Sequence, residues 1–153
     1  MRRVNIYAEA LPATFKKMPR AFGFVMELVD IVGETVQTTD GWTVEETTWN
    51  EAVLKAFVAA LAKLRRPCEI HLYTQNKVVL DLFDNNLETW EKNGYRNARG
   101  EPVKNATLWE LLSREGKDHL ILTEEGVHRF YHWMMARLEE EKSRAEEKEQ
   151  KHV

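Results

Sequence analysis

Ahead of Thr48 the chain offers three β-type segments and no helix. At Thr48 it switches to helical spacing, and that order restricts the fold more than any other feature. Arg3 to Ala10 (RVNIYAEA) alternates Val4, Ile6 and Ala8 with Asn5, Tyr7 and Glu9, the period-two pattern of a half-buried strand. Phe22 to Val32 (FGFVMELVDIV) is a denser apolar run that reads as a more buried strand, and Gly33 breaks it. Glu34 to Thr39 (ETVQTT) is a third, short strand. A Pro-containing loop joins the first two strands and a tight link the next two, so the three predict an antiparallel meander.

Thr48-x-x-Glu51 is a capping box, in which hydroxyl and carboxylate satisfy free amides at a helix start. Val53, Ala56, Phe57, Ala60, Leu61 and Leu64 follow at helical spacing. Arg65, Arg66 and Pro67 close this helix, with positive charge at its C-terminus. Glu69 to Thr74 (EIHLYT) is a fourth strand, followed by short helices at Asn76 to Leu82 and Leu87 to Lys92. Thr107-x-x-Glu110 reads as a second capping box, opening a helix through Leu112. His119 to Thr123 (HLILT) is a fifth strand, and from Gly126 onward Val127, Phe130, Tyr131, Met134 and Leu138 mark one helical face. The order β-β-β-α-β-α-α-α-β-α gives an α/β fold. It is a mixed five-stranded sheet, antiparallel meander plus parallel strands, with helices on its faces.

A chain of 153 residues is expected to form one domain, taken as residues 1–138, with a charged helical extension or disordered tail at 139–153. The absence of an apolar run of about 18 residues argues against a membrane span. The N-terminal stretch lacks a signal-peptide pattern, so the expected location is cytoplasmic. One cysteine, Cys68, excludes an intrachain disulfide and a Cys-based zinc cluster. The formal net charge of −3 means that any nucleic-acid affinity must come from a local patch.

The most specific stretch runs from Trp90 to Trp109 (WEKNGYRNARGEPVKNATLW). Trp90, Lys92, Gly94, Tyr95, Pro102, Val103, Lys104, Asn105, Leu108 and Trp109 stand in the spacing of the type 1 ribonuclease H family, which this chain resembles over roughly residues 3–138. Thr47, Thr48 and Asn50 also resemble that family. The resemblance implies a ribonuclease H-like fold and a protrusion that helps grip an RNA–DNA hybrid. It makes Thr48, Asn50, Trp90, Lys92, Tyr95, Arg96 and Lys104 candidate nucleic-acid contacts, with Trp109 as a core anchor. Glu88, Glu91 and Glu101 are interleaved with these bases, and the segment is close to neutral.

The family cuts with two magnesium ions held by four carboxylates, because paired hard cations need several oxygen ligands. By resemblance, Glu9 takes the first acid position. Val53 and Gln75 stand at the second and third, and the fourth falls near Met134 or Leu138. Glu51 lies two residues from Val53, about 200° around a helix, and points elsewhere. Glu9 is then the sole retained acid, and no resident metal is expected, Mg²⁺ or Mn²⁺ being needed only if activity survives. His128 resembles the family's mobile histidine, although a lone histidine at a helix start is ordinarily a surface residue. Of the five histidines (His71, His119, His128, His132 and His152), His128 and His132 have the i, i+4 spacing of a metal pair, without a third ligand.

Three functions follow as expectations. The first is a catalytically inactive ribonuclease H-like domain that binds nucleic acid, such as an RNA–DNA hybrid, or a protein partner. The second is a metal-dependent hybrid endoribonuclease with an atypical site made of Glu9 and displaced acids such as Glu45, Glu46, Asp81 or Glu139. The third is a homo-oligomeric interaction protein using exposed Trp42, Trp49 and Trp133. An enzyme is the less expected outcome.

Overall fold

The computed structural model describes residues 1–12, 14 and 16–151, so His152, a candidate histidine, lies outside the described residues. The strands are β1 (Arg2–Ala10), β2 (Met18–Val29), β3 (Thr35–Thr47), β4 (Cys68–Tyr73) and β5 (Leu120–Glu124). The helices are α1 (Trp49–Leu61), α2 (Lys77–Asn85), α3 (Leu87–Lys92), α4 (Ala106–Gly116) and α5 (Tyr131–Lys151). Their order is the one the sequence predicts. The sheet order is β3-β2-β1-β4-β5. β1 pairs with β2, and β2 with β3, antiparallel; β1 with β4, and β4 with β5, parallel.

The alternation in β1 sorts side chains between two layers. Val4, Ile6, Ala8 and Ala10 join Phe22, Phe24 and the apolar face of α1 in the larger core. Tyr7 faces the other way and packs with Val25 and Met134 of α5. Asn5 and Glu9 share the parity of Tyr7, and both are buried. α5 packs on β1, β2 and β3, burying only Met134 and Leu138 as it runs on through the charged tail to Lys151. No helix among the described residues is long and apolar enough to cross a membrane.

Element boundaries differ from the sequence reading where tertiary pairing overrides local pattern. β2 starts at Met18 rather than Phe22 and stops at Val29, because Ile31 and Val32 project from the turn and are exposed. Asp30 Oδ1 accepts from the amides of Val32 and Glu34 at 3.0 and 2.9 Å and closes that turn, with Gly33 at φ +88°. β3 continues to Thr47 rather than ending at Thr39, since β2 offers a pairing template as far as Met18. Close approach fixes two glycines: a Cβ at Gly23 would lie 2.3 Å from the Gly41 carbonyl oxygen, and one at Gly41 2.7 Å from the Phe24 ring. α1 ends at Leu61, four residues before Arg65 (65 − 61), and has no basic residue in its last turn. At α4 the Thr107 capping box does not form; Asn105, in the left-handed region at φ 61°, sits at the N-cap and makes no side-chain cap bond. β5 begins at Leu120 and α5 at Tyr131, which leaves Gly126 to Phe130 as a connecting loop.

Trp109 is 1% exposed and meets Trp90 edge to face, with ring centroids 5.4 Å apart. This contact ties the base of the protrusion to the core, as expected of Trp109. Trp109→Ala is expected to lower stability by about 3–5 kcal/mol, the range for emptying an aromatic core site, as measured by urea denaturation.

Candidate active site

β1 and β4 run in parallel and their register reaches Tyr7↔Tyr73, so Glu9 and the residues just past β4 emerge side by side. β5 pairs with β4 up to Tyr73↔Glu124, which brings the chain leaving β5 over the same end of the sheet. Gly126, at φ +100°, turns that chain, and His128 follows.

Glu9 is 1% exposed, and protein donors meet both of its oxygens. Oε1 accepts from Thr74 Oγ1 at 3.2 Å and from the Gln75 amide at 3.2 Å. Oε2 lies 3.0 Å from the same amide and 2.7 Å from His128 Nε2. The Phe130 amide donates to His128 Nδ1 at 3.2 Å, so Nδ1 carries no proton and Nε2–H is the donor to Glu9. His128 is therefore not a surface residue; it is 7% exposed and uses both ring nitrogens internally. The i, i+4 spacing therefore does not make a metal pair with His132, which is exposed and stacks edge-on with Tyr131.

Gln75 contributes its backbone N–H, while its side-chain Nε2 is buried and has no hydrogen-bond partner among the described residues. Val53 is fully buried in the α1-side core. Met134 and Leu138 are both fully buried as well, and Glu139 beside them is exposed. Glu45 pairs with Lys55 at 3.5 Å and Asp81 with Lys77 at 3.7 Å, and neither is a hydrogen-bonding partner of Glu9. Among the described residues no group of three or more His, Cys, Asp or Glu side chains is placed to hold a metal ion.

Glu27, which sequence reasoning missed, is the second buried carboxylate. It accepts from Asn5 Nδ2 at 3.1 Å, from Thr35 Oγ1 at 2.7 Å and from the Tyr7 hydroxyl, and it pairs with Arg129, the residue after His128. Burial pushes the Glu27 carboxyl up, but the hydrogen bonds from Tyr7, Thr35 and Asn5 and the charge of Arg129 outweigh it and hold it below its ordinary value. The signal was available: a lone acid inside a dense apolar run, on the face of polar Asn5 and Tyr7.

The candidate nucleic-acid contacts are largely engaged in the fold. Thr48 Oγ1 caps α1 through the Glu51 amide at 3.2 Å. Asn50 Oδ1 accepts from Asn76 Nδ2 at 2.8 Å, and Asn76 in turn caps α2 through its Oδ1. Trp90 and Tyr95 pack partly buried against the core. Lys92 pairs with Glu88 at 3.3 Å, Arg96 donates to the Gly100 carbonyl at 2.7 Å, and Lys104 is exposed. Of the three tryptophans expected to be exposed, Trp42 and Trp49 are partly buried, and only Trp133, half exposed, meets the expectation.

A ribonuclease H family model matches residues 4–124. The chain belongs to the ribonuclease H family. Among its relatives are the ribonuclease H of Brucella ovis, 38% identical over 89 residues covering 58% of this chain and 53% of that protein. The ribonuclease H of Brucella anthropi is 41% identical over 76 residues, 50% of this chain and 49% of that one. The chain thus spans about half the length of the curated relatives it matches. Of solved structures, LC9-RNase H1, described as a type 1 RNase H with the type 2 active-site motif, superposes with a TM-score of 0.68 at 18% identity, over 84% of this chain and 64% of that one. A foamy viral protease-reverse transcriptase in complex with an RNA/DNA hybrid superposes with a TM-score of 0.60 at 17% identity, over 90% of this chain and 19% of that one. These likenesses carry the ribonuclease H fold, mixed sheet included.

Two outcomes test this geometry. His128→Ala leaves the Glu9 carboxylate short of a donor in a buried site and is expected to cost about 1–3 kcal/mol, read from urea melts at neutral pH. Because the Glu27 value is depressed in the folded state, its stabilising contribution is present above the unfolded carboxylate value, about 4.3, and is lost as pH falls through the folded one. Glu27→Gln is expected to flatten that part of the acid limb of the stability–pH curve.

Proposed function

We propose that this chain is a ribonuclease H-like domain without the family's nuclease activity, serving in the cytoplasm as a nucleic-acid-binding module. The observation that carries the proposal is the state of Glu9. A pair of divalent cations requires several oxygen ligands left free to reach them. Here the carboxylate at the first acid position is taken up by His128 Nε2, the Gln75 amide and Thr74 Oγ1. The neighbouring family positions hold a core valine and a neutral amide, and no metal-capable group of three surrounds them among the described residues. These residues do not fit a two-cation centre.

Nucleic-acid binding is supported by the protrusion, which keeps its form and its anchor at Trp109. It is supported also by a structural neighbour whose complex holds an RNA/DNA hybrid. A second reading, a metal-dependent hybrid endoribonuclease, is favoured by the relatives that bear the name ribonuclease H. Incubation with a labelled RNA–DNA hybrid and Mg²⁺ or Mn²⁺ distinguishes the two. The expected outcome is salt-dependent hybrid binding without cleavage. Cleavage that disappears in Glu9→Gln would establish the second reading, and absence of binding would leave a protein partner as the remaining role.

A further inference from the structure

Besides Arg96, Arg99 and Lys104 of the protrusion, a second group of exposed cations without ion pairs among the described residues gathers at one end of the sheet. β1 and β4 begin at the same end of the sheet, with Arg2 paired in register to Cys68 and Arg3 to Glu69. The chain enters β4 through Lys63, Arg65 and Arg66, and Cys68 Sγ lies 3.1 Å from the Arg66 carbonyl oxygen. These five cationic residues are all exposed, and among the described residues none forms an ion pair within 4 Å. Lys117 joins the same end, because His119, two residues on, accepts the Cys68 amide at 3.0 Å.

Of the acids at this end, Glu69 and Asp30 are engaged, and Glu34 and Asp118 are exposed without an ion pair among the described residues. Glu69 lies 3.0 Å from His71 Nε2, and Asp30 Oδ1 closes the β2–β3 turn. Asp118 is the acid beside Lys117. Helix capping does not account for the cluster, since α1 stops at Leu61 with no basic residue in its last turn. Arg2 and Arg3 belong to no helix at all. A recess of about 590 Å³ between the start of β1 and the β2–β3 turn is lined by Arg2, Arg3, Asp30 and Ile31. A chain of net charge −3 that leaves Arg2, Lys63, Arg65 and Arg66 exposed and without ion pairs at one end of the sheet presents a surface complementary to a polyanion.

We propose that this end of the sheet, at the starts of β1 and β4 and opposite the Glu9 site, is a docking surface for the sugar–phosphate backbone of a nucleic acid. Arg2, Arg65 and Arg66 are its principal contacts. The inference rests on the reading of the chain as a nucleic-acid-binding module and moves the electrostatic contact from the near-neutral protrusion to a separate face.

The test is fluorescence anisotropy across a salt series with a labelled RNA–DNA hybrid, double-stranded RNA and double-stranded DNA. The proteins are the full chain, an Arg65→Glu/Arg66→Glu variant and a Lys92→Glu/Lys104→Glu variant. All the substituted side chains are exposed, and matching thermal melts confirm that the variants fold. The first variant is expected to weaken binding about tenfold or more and to reduce the log K–log salt slope by about two, one counterion per lost phosphate contact. The second is expected to change either quantity much less. Unchanged affinity and slope in the arginine variant, with loss in the protrusion variant, would overturn this inference while leaving the binding module standing. No binding of any duplex by the unsubstituted chain would overturn both.

Discussion

A carboxylate that is 1% exposed must be met by donors or cations, and Glu9 is met by three donors from two separate parts of the chain. Thr74 and Gln75 are delivered by the parallel pairing of β1 with β4, and His128 by the pairing of β4 with β5 and the turn at Gly126. Once those partners are in place, the rest of that end of the sheet is determined. The Phe130 amide fixes the histidine tautomer, Arg129 reaches across to Glu27, and α5 starts where its Met134 can close the smaller core. Two buried carboxylates, Glu9 and Glu27, thus hold consecutive residues of one loop.

This arrangement rests on a ribonuclease H fold whose framework is independent of the residues around Glu9. Backbone pairing and the α1-side core depend on Val4, Ile6, Phe24, Phe57 and Trp109, none of which is a ligand. A metal centre depends on a few oxygens left free for a cation. Internal hydrogen bonds satisfy the desolvated carboxylate without any cation, and Val53 adds to the core. The residues that hold the fold are therefore distinct from those around Glu9, and a fold does not by itself set the chemistry.

The element order and sheet type were legible because the periodicity of β1 and α1 is unambiguous and the Trp90–Trp109 spacing is specific. The ends of β2 and β3 were not, because Ile31 and Val32 look like strand residues locally and the pairing along Asp40 to Thr47 is imposed by the neighbouring strand. The Thr107 capping pattern failed because a left-handed Asn105 already starts α4. The alternation of β1 puts Glu9 on the face of Asn5 and Tyr7, but the satisfaction of its carboxylate could not be read from sequence. One of its donors is a backbone amide, which has no side-chain signature, and another is a histidine 119 positions away. Thr48, Asn50, Lys92 and Arg96 are candidate contacts through the family resemblance, and their polar groups are what lets the fold use them as caps and internal partners.

The central claim is that Glu9 is saturated by protein donors. Titration of the full chain with Mg²⁺ and Mn²⁺, followed by the melting temperature and by isothermal calorimetry, tests it most directly. The account predicts no saturable heat and no metal-dependent rise in melting temperature at millimolar concentrations, since a ligand that does not bind the native state cannot stabilise it. A saturable rise that is abolished by Glu9→Gln would contradict it.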